Sequence, residues 1–120
     1  MNALYRYLPV VSLVTVMVAI TTLSLLPPET GLEIKKDKLG HFIAYFVLSA
    51  NALFFAKNGR AILVIFLAVC GYGGFIEFLQ GFVPGRQPSG WDMLANSTGA
   101  LIGIAFHLTL GYRLKKMRQL

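Results

Sequence analysis

Apolar residues are grouped along this chain into four runs, which cover about 8–26, 40–56, 61–82 and 92–112. Each run is close to the ~20 residues that an α-helix needs to cross a ~30 Å hydrocarbon core. The runs are continuous, whereas the strands of a membrane barrel alternate between apolar and polar positions. The pattern therefore predicts an all-α, polytopic membrane protein built as a four-transmembrane-helix bundle.

Composition supports a membrane protein and argues against a soluble domain. The chain has 120 residues, is 56% hydrophobic and only 13% charged, and has a mean hydropathy of +0.65. A chain of this length cannot bury so much apolar surface without lipid. Only short tails and loops remain outside the runs, so we expect one transmembrane domain over 1–120. The first run follows Arg6 like a signal peptide, but its length and the lack of a small-x-small site near Pro27 predict a retained helix.

The distribution of Lys and Arg predicts the orientation of this domain. With four spans, the N-terminus, the turn between the second and third runs and the C-terminus share one side, which carries Arg6, Lys57, Arg60, Arg113, Lys115, Lys116 and Arg118. The opposite side carries Lys35, Lys36, Lys38 and Arg86. By the positive-inside rule we expect a multi-pass protein of the cell membrane with both termini in the cytoplasm. The net charge of +6 then needs no nucleic acid partner, because basic segments meet anionic membrane lipids.

Polar residues lie near those helix ends that the predicted topology places on the extracytoplasmic side. They are Asp37, Lys38, His41, Glu77, Gln80, Arg86, Asp92 and Asn96. A charge at the bilayer centre costs about 2.5–3.5 kcal/mol on the insertion scale, so such residues are expected to have a function. Glu77 lies about seven residues before Pro84, which places it roughly 10 Å below the expected end of its helix. We expect its carboxyl group to face the bundle interior and not lipid.

Some of these residues also have a simpler structural explanation. Asp37 suits the N-cap of the second helix, and Ser89 with Asp92 fits a capping box at the start of the fourth. The stripe formed by Asn96, Gly99 and Gly103 is typical of close helix packing. His107 lies away from the other polar residues, and we expect a histidine there that is packed or contacts lipid headgroups.

Four motifs in order resemble the VanZ-like family over about residues 8–110. They are D-K-x-x-H at Asp37–His41, E-x-x-Q at Glu77–Gln80, P-G-R at Pro84–Arg86 and D-x-x-x-N at Asp92–Asn96. The resemblance implies a small bacterial membrane protein, whose family namesake is associated with resistance to the lipid-bearing glycopeptide teicoplanin. It implies no established molecular activity.

Binding and catalysis remain alternatives for these polar residues. As a binding site for a lipid-linked wall precursor or a lipoglycopeptide, it would use Lys38 and Arg86 for anionic groups. Hydrogen bonds would come from Gln80 and Asn96. As an enzyme acting on a lipid-linked or phosphorylated substrate, it would use Glu77 or His41 as general base and Asp92 as orienting partner. We favour binding, because the chain has no clear nucleophile and base pair and no phosphate loop.

Two further interpretations concern metals and assembly. His41, Glu77 and Asp92 are three residues of metal-ligand type, but they lack H-E-x-x-H or another close ligand spacing. We therefore expect no metal ion and no cofactor. In a purely structural role, the small-residue stripes of the third and fourth helices would mediate homo-oligomerisation or partner binding, and the polar residues would fix helix register.

Overall fold

The protein is all-helical throughout the residues that the structure describes. The computed structural model describes residues 3–26, 37–85 and 90–120, with side chains at all of these except Asp37 and Lys38. The helices are α1 (Ala3–Leu25), α2 (Asp37–Ala52), α3 (Gly59–Gln80) and α4 (Gly90–Arg118), with a 3₁₀ turn at Leu53–Phe55 after α2. The prediction of an all-α fold with four helices is confirmed within these ranges.

The helices differ in whether they are long enough to cross a membrane. α1, α3 and α4 are long and apolar enough to do so. α2 has 16 residues, or about 24 Å, and the apolar stretch around it runs from Leu39 to Phe55. Three helices of membrane-spanning length are therefore established, and the crossing by α2 stays a prediction.

The helices begin and end at residues other than those of the predicted runs. Capping and charged residues at the helix ends account for some of these differences. α1 begins at Ala3, well before residue 8, and contains Pro9. α3 begins after Asn58, whose side chain accepts a hydrogen bond of 2.8 Å from the Ala61 amide. α4 continues to Arg118, because a basic last turn is favourable at the negative end of a helix dipole. α2 begins at Asp37, so the residue expected to precede the helix as its N-cap is the first residue of the helix itself.

The closest helix contact lies between α2 and α4 and depends on two glycines of α4. A Cβ added at Gly99 would collide with the backbone carbonyl of Phe42, and one at Gly103 would collide with the carbonyl of Phe46 and with Ser49 Oγ. Backbone atoms cannot rotate away from such a contact. The predicted small-residue stripe is thus used for packing within the chain.

α1 and α3 complete the bundle around a small apolar core. Ile20, Tyr45, Leu48, Val69 and Ala100 form this core, one or more from each helix. Hydrogen bonds between helices supplement it: Ser12 donates to Asn51, and the Tyr72 hydroxyl donates to the Met17 carbonyl over 3.0 Å. Most other large apolar side chains are exposed, as expected of surfaces that face lipid.

We expect Gly99→Ala to lower the stability of the bundle by about 1–3 kcal/mol, because the added methyl group forces α2 and α4 apart. Thermal unfolding in detergent measures the change. Gly111→Ala is the matched control, since a Cβ there meets nothing within 4 Å and alanine favours the helix. Equal unfolding temperatures for the two variants would contradict the close approach.

Candidate functional site

Three helices bring three ionisable side chains together. His41 comes from the first turns of α2, Glu77 from the last turns of α3 and Asp92 from the first turn of α4. One nitrogen or oxygen atom of each lies within 4.8 Å of the others. Glu77 is 4% exposed and Asp92 8% exposed, which confirms that Glu77 faces the bundle interior. We call His41, Glu77, Asp92 and the adjoining Asn96 the polar cluster.

The imidazole of His41 is oriented by its neighbours on α4. Its Nδ1 lies 2.8 Å from Asn96 Oδ1, and its Nε2 lies 3.8 Å from Asp92 Oδ2. An amide oxygen only accepts hydrogen bonds. The hydrogen is therefore on Nδ1, which donates a hydrogen bond to Asn96 Oδ1. When the ring is neutral, Nε2 therefore keeps a lone pair on the side of Asp92. The imidazole can accept a proton or bind a cation there.

A cavity of about 490 Å³ lies between the end of α3 and the start of α4. Its walls include the glycines Gly74, Gly81 and Gly90 and the apolar residues Phe78, Phe82 and Met93. Glu77 also lines it and belongs at the same time to the polar cluster. We call this cavity the α3/α4 groove. Its apolar surface lies next to the buried carboxyl group of Glu77.

Tyr45 is a further polar residue at this place that the predicted site did not include. It is 1% exposed, and its hydroxyl has no hydrogen-bond partner among the described residues. Its ring lies against Gly73, where a Cβ would be 3.2 Å from Tyr45 Cε1 and 3.0 Å from Asn96 Nδ2. The position of Tyr45, four residues after His41 and thus on the same helix face, is the sequence feature that could have identified it.

Gln80, one of the predicted binding residues, makes a structural contact with α1. It is buried, and its Nε2 donates a hydrogen bond of 3.0 Å to the carbonyl of Ser24 near the end of α1. The last carbonyls of a helix have no partner within the helix, and Gln80 satisfies one of them. The contact fastens α1 to α3.

Lys38 and Arg86 are the remaining predicted site residues. Arg86 and Ser89 lie outside the described residues, and so does the side chain of Lys38.

His107 is packed away from the cluster, as expected: its Nδ1 lies 2.9 Å from the Ala50 carbonyl, and its ring meets Phe54 edge to face.

We expect Gln80→Leu to reduce stability by about 1 kcal/mol, because the Ser24 carbonyl loses its donor inside the bundle. Thermal unfolding in detergent measures the change, and Gln119→Leu at the exposed end of the chain is the control. Unchanged stability would show that Gln80 does not fasten α1 to α3.

Comparison with known proteins agrees with the motifs. The family model described as VanZ/LLP1 matches residues 3–111. The match spans α1 to α3, the polar cluster and most of α4. Comparisons with curated proteins and with solved structures give no match. Because the family model covers most of its length, the chain belongs to the VanZ/LLP1 family.

Proposed function

We propose that this VanZ-like protein binds an amphipathic, lipid-linked component of the cell envelope in the α3/α4 groove. The observation that carries the proposal is the position of Glu77, which lines the groove and belongs to the polar cluster. A ligand with a hydrocarbon chain and a polar head needs both kinds of surface side by side. The groove brings them together at the ends of two helices.

The apolar part of the groove suits a chain arriving from the bilayer. Phe78, in the last turn of α3, and Phe82, just after the helix, are largely exposed and in edge-to-face contact with each other, and Met93 lies opposite on α4. Aromatic and Met side chains adapt to flexible apolar ligands. A hydrocarbon chain lying there would leave its polar head near Glu77.

The polar part suits a head group that forms hydrogen bonds. Glu77 and Asp92 accept hydrogen bonds from hydroxyl, amide or ammonium groups, and His41 both donates and accepts them. Lys38 and Arg86 stay predicted partners for the phosphate groups of a lipid-linked wall precursor. Teicoplanin, with its acyl chain and peptide core, has the same division into apolar and polar parts, and the VanZ-like resemblance supports this class of ligand. Envelope maintenance or glycopeptide resistance would follow from such binding.

The proposal includes a membrane orientation with four spans. α2 and the turn after it supply an apolar stretch from Leu39 to Phe55, about 26 Å long if helical throughout. Four crossings put both termini on the same side, with the basic end of α4 in the cytoplasm and the polar cluster toward the extracytoplasmic side. Three crossings would separate the termini. The number of spans is therefore testable from the termini alone.

We expect single-cysteine variants at both termini, Asn2→Cys and Gln119→Cys in a Cys70→Ser background, to resist a membrane-impermeant maleimide in intact cells. Permeabilised cells should label both positions. Gly31→Cys, in the predicted outer loop, is the control that should react in intact cells. Labelling of one terminus but not the other would exclude the four-span topology.

Catalysis remains the second candidate, and the orientation of His41 favours it. A general base must present an unprotonated atom to the substrate, and Nε2 of His41 does so beside Asp92 while Nδ1 is held by Asn96. The substrate would be a lipid-linked or phosphorylated envelope component. Conversion of such a compound by purified protein, lost in His41→Ala, would distinguish this from binding alone.

We expect Gly74→Leu to weaken binding of a purified lipid-linked wall precursor and of teicoplanin by about tenfold or more, about 1.4 kcal/mol. The leucine side chain would fill the groove at a position where a Cβ already meets Met93. Binding is measured by microscale thermophoresis with protein in nanodiscs. Gly71→Leu, on the exposed face of the same helix, is the matched control. Equal affinities for wild type and Gly74→Leu would place the ligand elsewhere, and no binding to wild type would refute the proposed function.

A further inference from the structure

The polar cluster has the composition of a metal site. It offers one imidazole and two carboxylates, supplied by α2, α3 and α4, with one donor atom from each inside a 4.8 Å limit. Donors from three helices are held in place by the packing of the bundle and not by a flexible loop. Mixed nitrogen and oxygen donors are typical of sites for divalent first-row transition metals.

The distance between His41 and Asp92 fits an ion lying between them. Nε2 and Oδ2 are 3.8 Å apart, which is too long for a hydrogen bond. Two ligands that are each about 2.1 Å from a tetrahedral metal lie roughly 3.4 Å from one another. A small contraction would therefore let both atoms coordinate one ion. Glu77 approaches from the opposite helix to supply the third donor.

The outer contacts of His41 also match those of a metal ligand. Metal-binding histidines usually donate their second ring N–H to an oxygen, which fixes the tautomer and directs the lone pair to the metal. Asn96 Oδ1 accepts this hydrogen bond at 2.8 Å, and Asn96 is itself 2% exposed. The imidazole is thereby prepared to bind a cation through Nε2.

An unpartnered buried donor at the cluster gives independent support. The Tyr45 hydroxyl has no partner among the described residues, although its side chain is almost fully buried. Its ring meets Gly73 together with the Asn96 amide, one helical turn before Glu77 on the same face of α3. Burial of a hydroxyl without a hydrogen-bond partner destabilises the folded protein. Water or a carboxylate bound to a metal ion would accept its hydrogen bond.

We propose that His41, Glu77 and Asp92 bind one divalent transition-metal ion, of the Zn²⁺ or Mn²⁺ type, inside the helical bundle. The ion would lie between two carboxylates, and its positive charge would offset the repulsion between them. Glu77 also lines the α3/α4 groove, so positions left open on the ion would face any ligand bound there. The metal site goes beyond the proposed lipid binding and stands whether or not that function is correct.

Purified, tag-free protein in a neutral detergent, stripped with chelator and then given Mn²⁺ or Zn²⁺, tests the site. We expect about one ion per chain, and an affinity lower by about tenfold or more in His41→Ala, Glu77→Gln or Asp92→Asn. His107→Ala is the matched control, because this second histidine lies outside the cluster and should leave the affinity unchanged. Size-exclusion chromatography and circular dichroism show that each variant is folded.

Spectroscopy on protein with an intact cluster separates ligation from loss of folding. The chain has 2 histidines, so His107→Ala protein retains His41 as its single imidazole. Pulsed electron paramagnetic resonance of its bound Mn²⁺ should show the nitrogen coupling of an imidazole ligand. Absence of a bound ion, or of nitrogen coupling, would overturn the proposal. So would affinities unchanged in all three cluster variants.

Gly74→Leu distinguishes the metal site from lipid binding. The substitution fills the groove but leaves all three proposed ligands in place, so we expect weaker lipid binding with the metal retained. If the wild-type protein binds lipid but no metal ion, the metal site alone is refuted. The opposite result, metal without lipid, would refute the proposed function alone.

Discussion

The close approach of α2 and α4 at Gly99 and Gly103 is the constraint on which the rest of the structure depends. Without a Cβ at these positions, the α4 backbone reaches the carbonyls of Phe42 and Phe46 on α2. This contact sets the relative height of the two helices. His41 is therefore level with Asn96 and Asp92, and their contacts follow from the packing. Close packing of small residues is the usual means of holding helices together where lipid removes the hydrophobic driving force.

α3 adds a third ionisable side chain to those that α2 and α4 bring together. Glu77 is buried against α2 and α4 at the same level as His41 and Asp92. Acidic side chains so close together in an apolar medium are costly, and their cost is reduced by a proton, a cation or hydrogen-bond donors. The chain retains this arrangement beside a groove with apolar walls. Structural stability alone does not require it, since an apolar core of similar volume is often as stable as buried charges.

The polar residues of the chain divide into two groups with different roles. Gln80 and Tyr72 bond to main-chain carbonyls of α1 and hold that helix against α3. His41, Asn96 and Tyr45 instead meet at the polar cluster. The first group stabilises the bundle, and the second surrounds the place where a ligand or ion would bind.

The sequence by itself determined the helical class, the approximate helix positions and the inward direction of Glu77, because long apolar runs and the cost of a charge in lipid leave few alternatives. It also grouped Asn96 with His41 among the polar residues near the same helix ends. Only the tertiary structure decided that Gln80 bonds to Ser24 and that Asp92 and Glu77 come within reach of one imidazole. These residues lie far apart along the chain. Their distances are set by how closely the helices pack, which no local sequence spacing encodes.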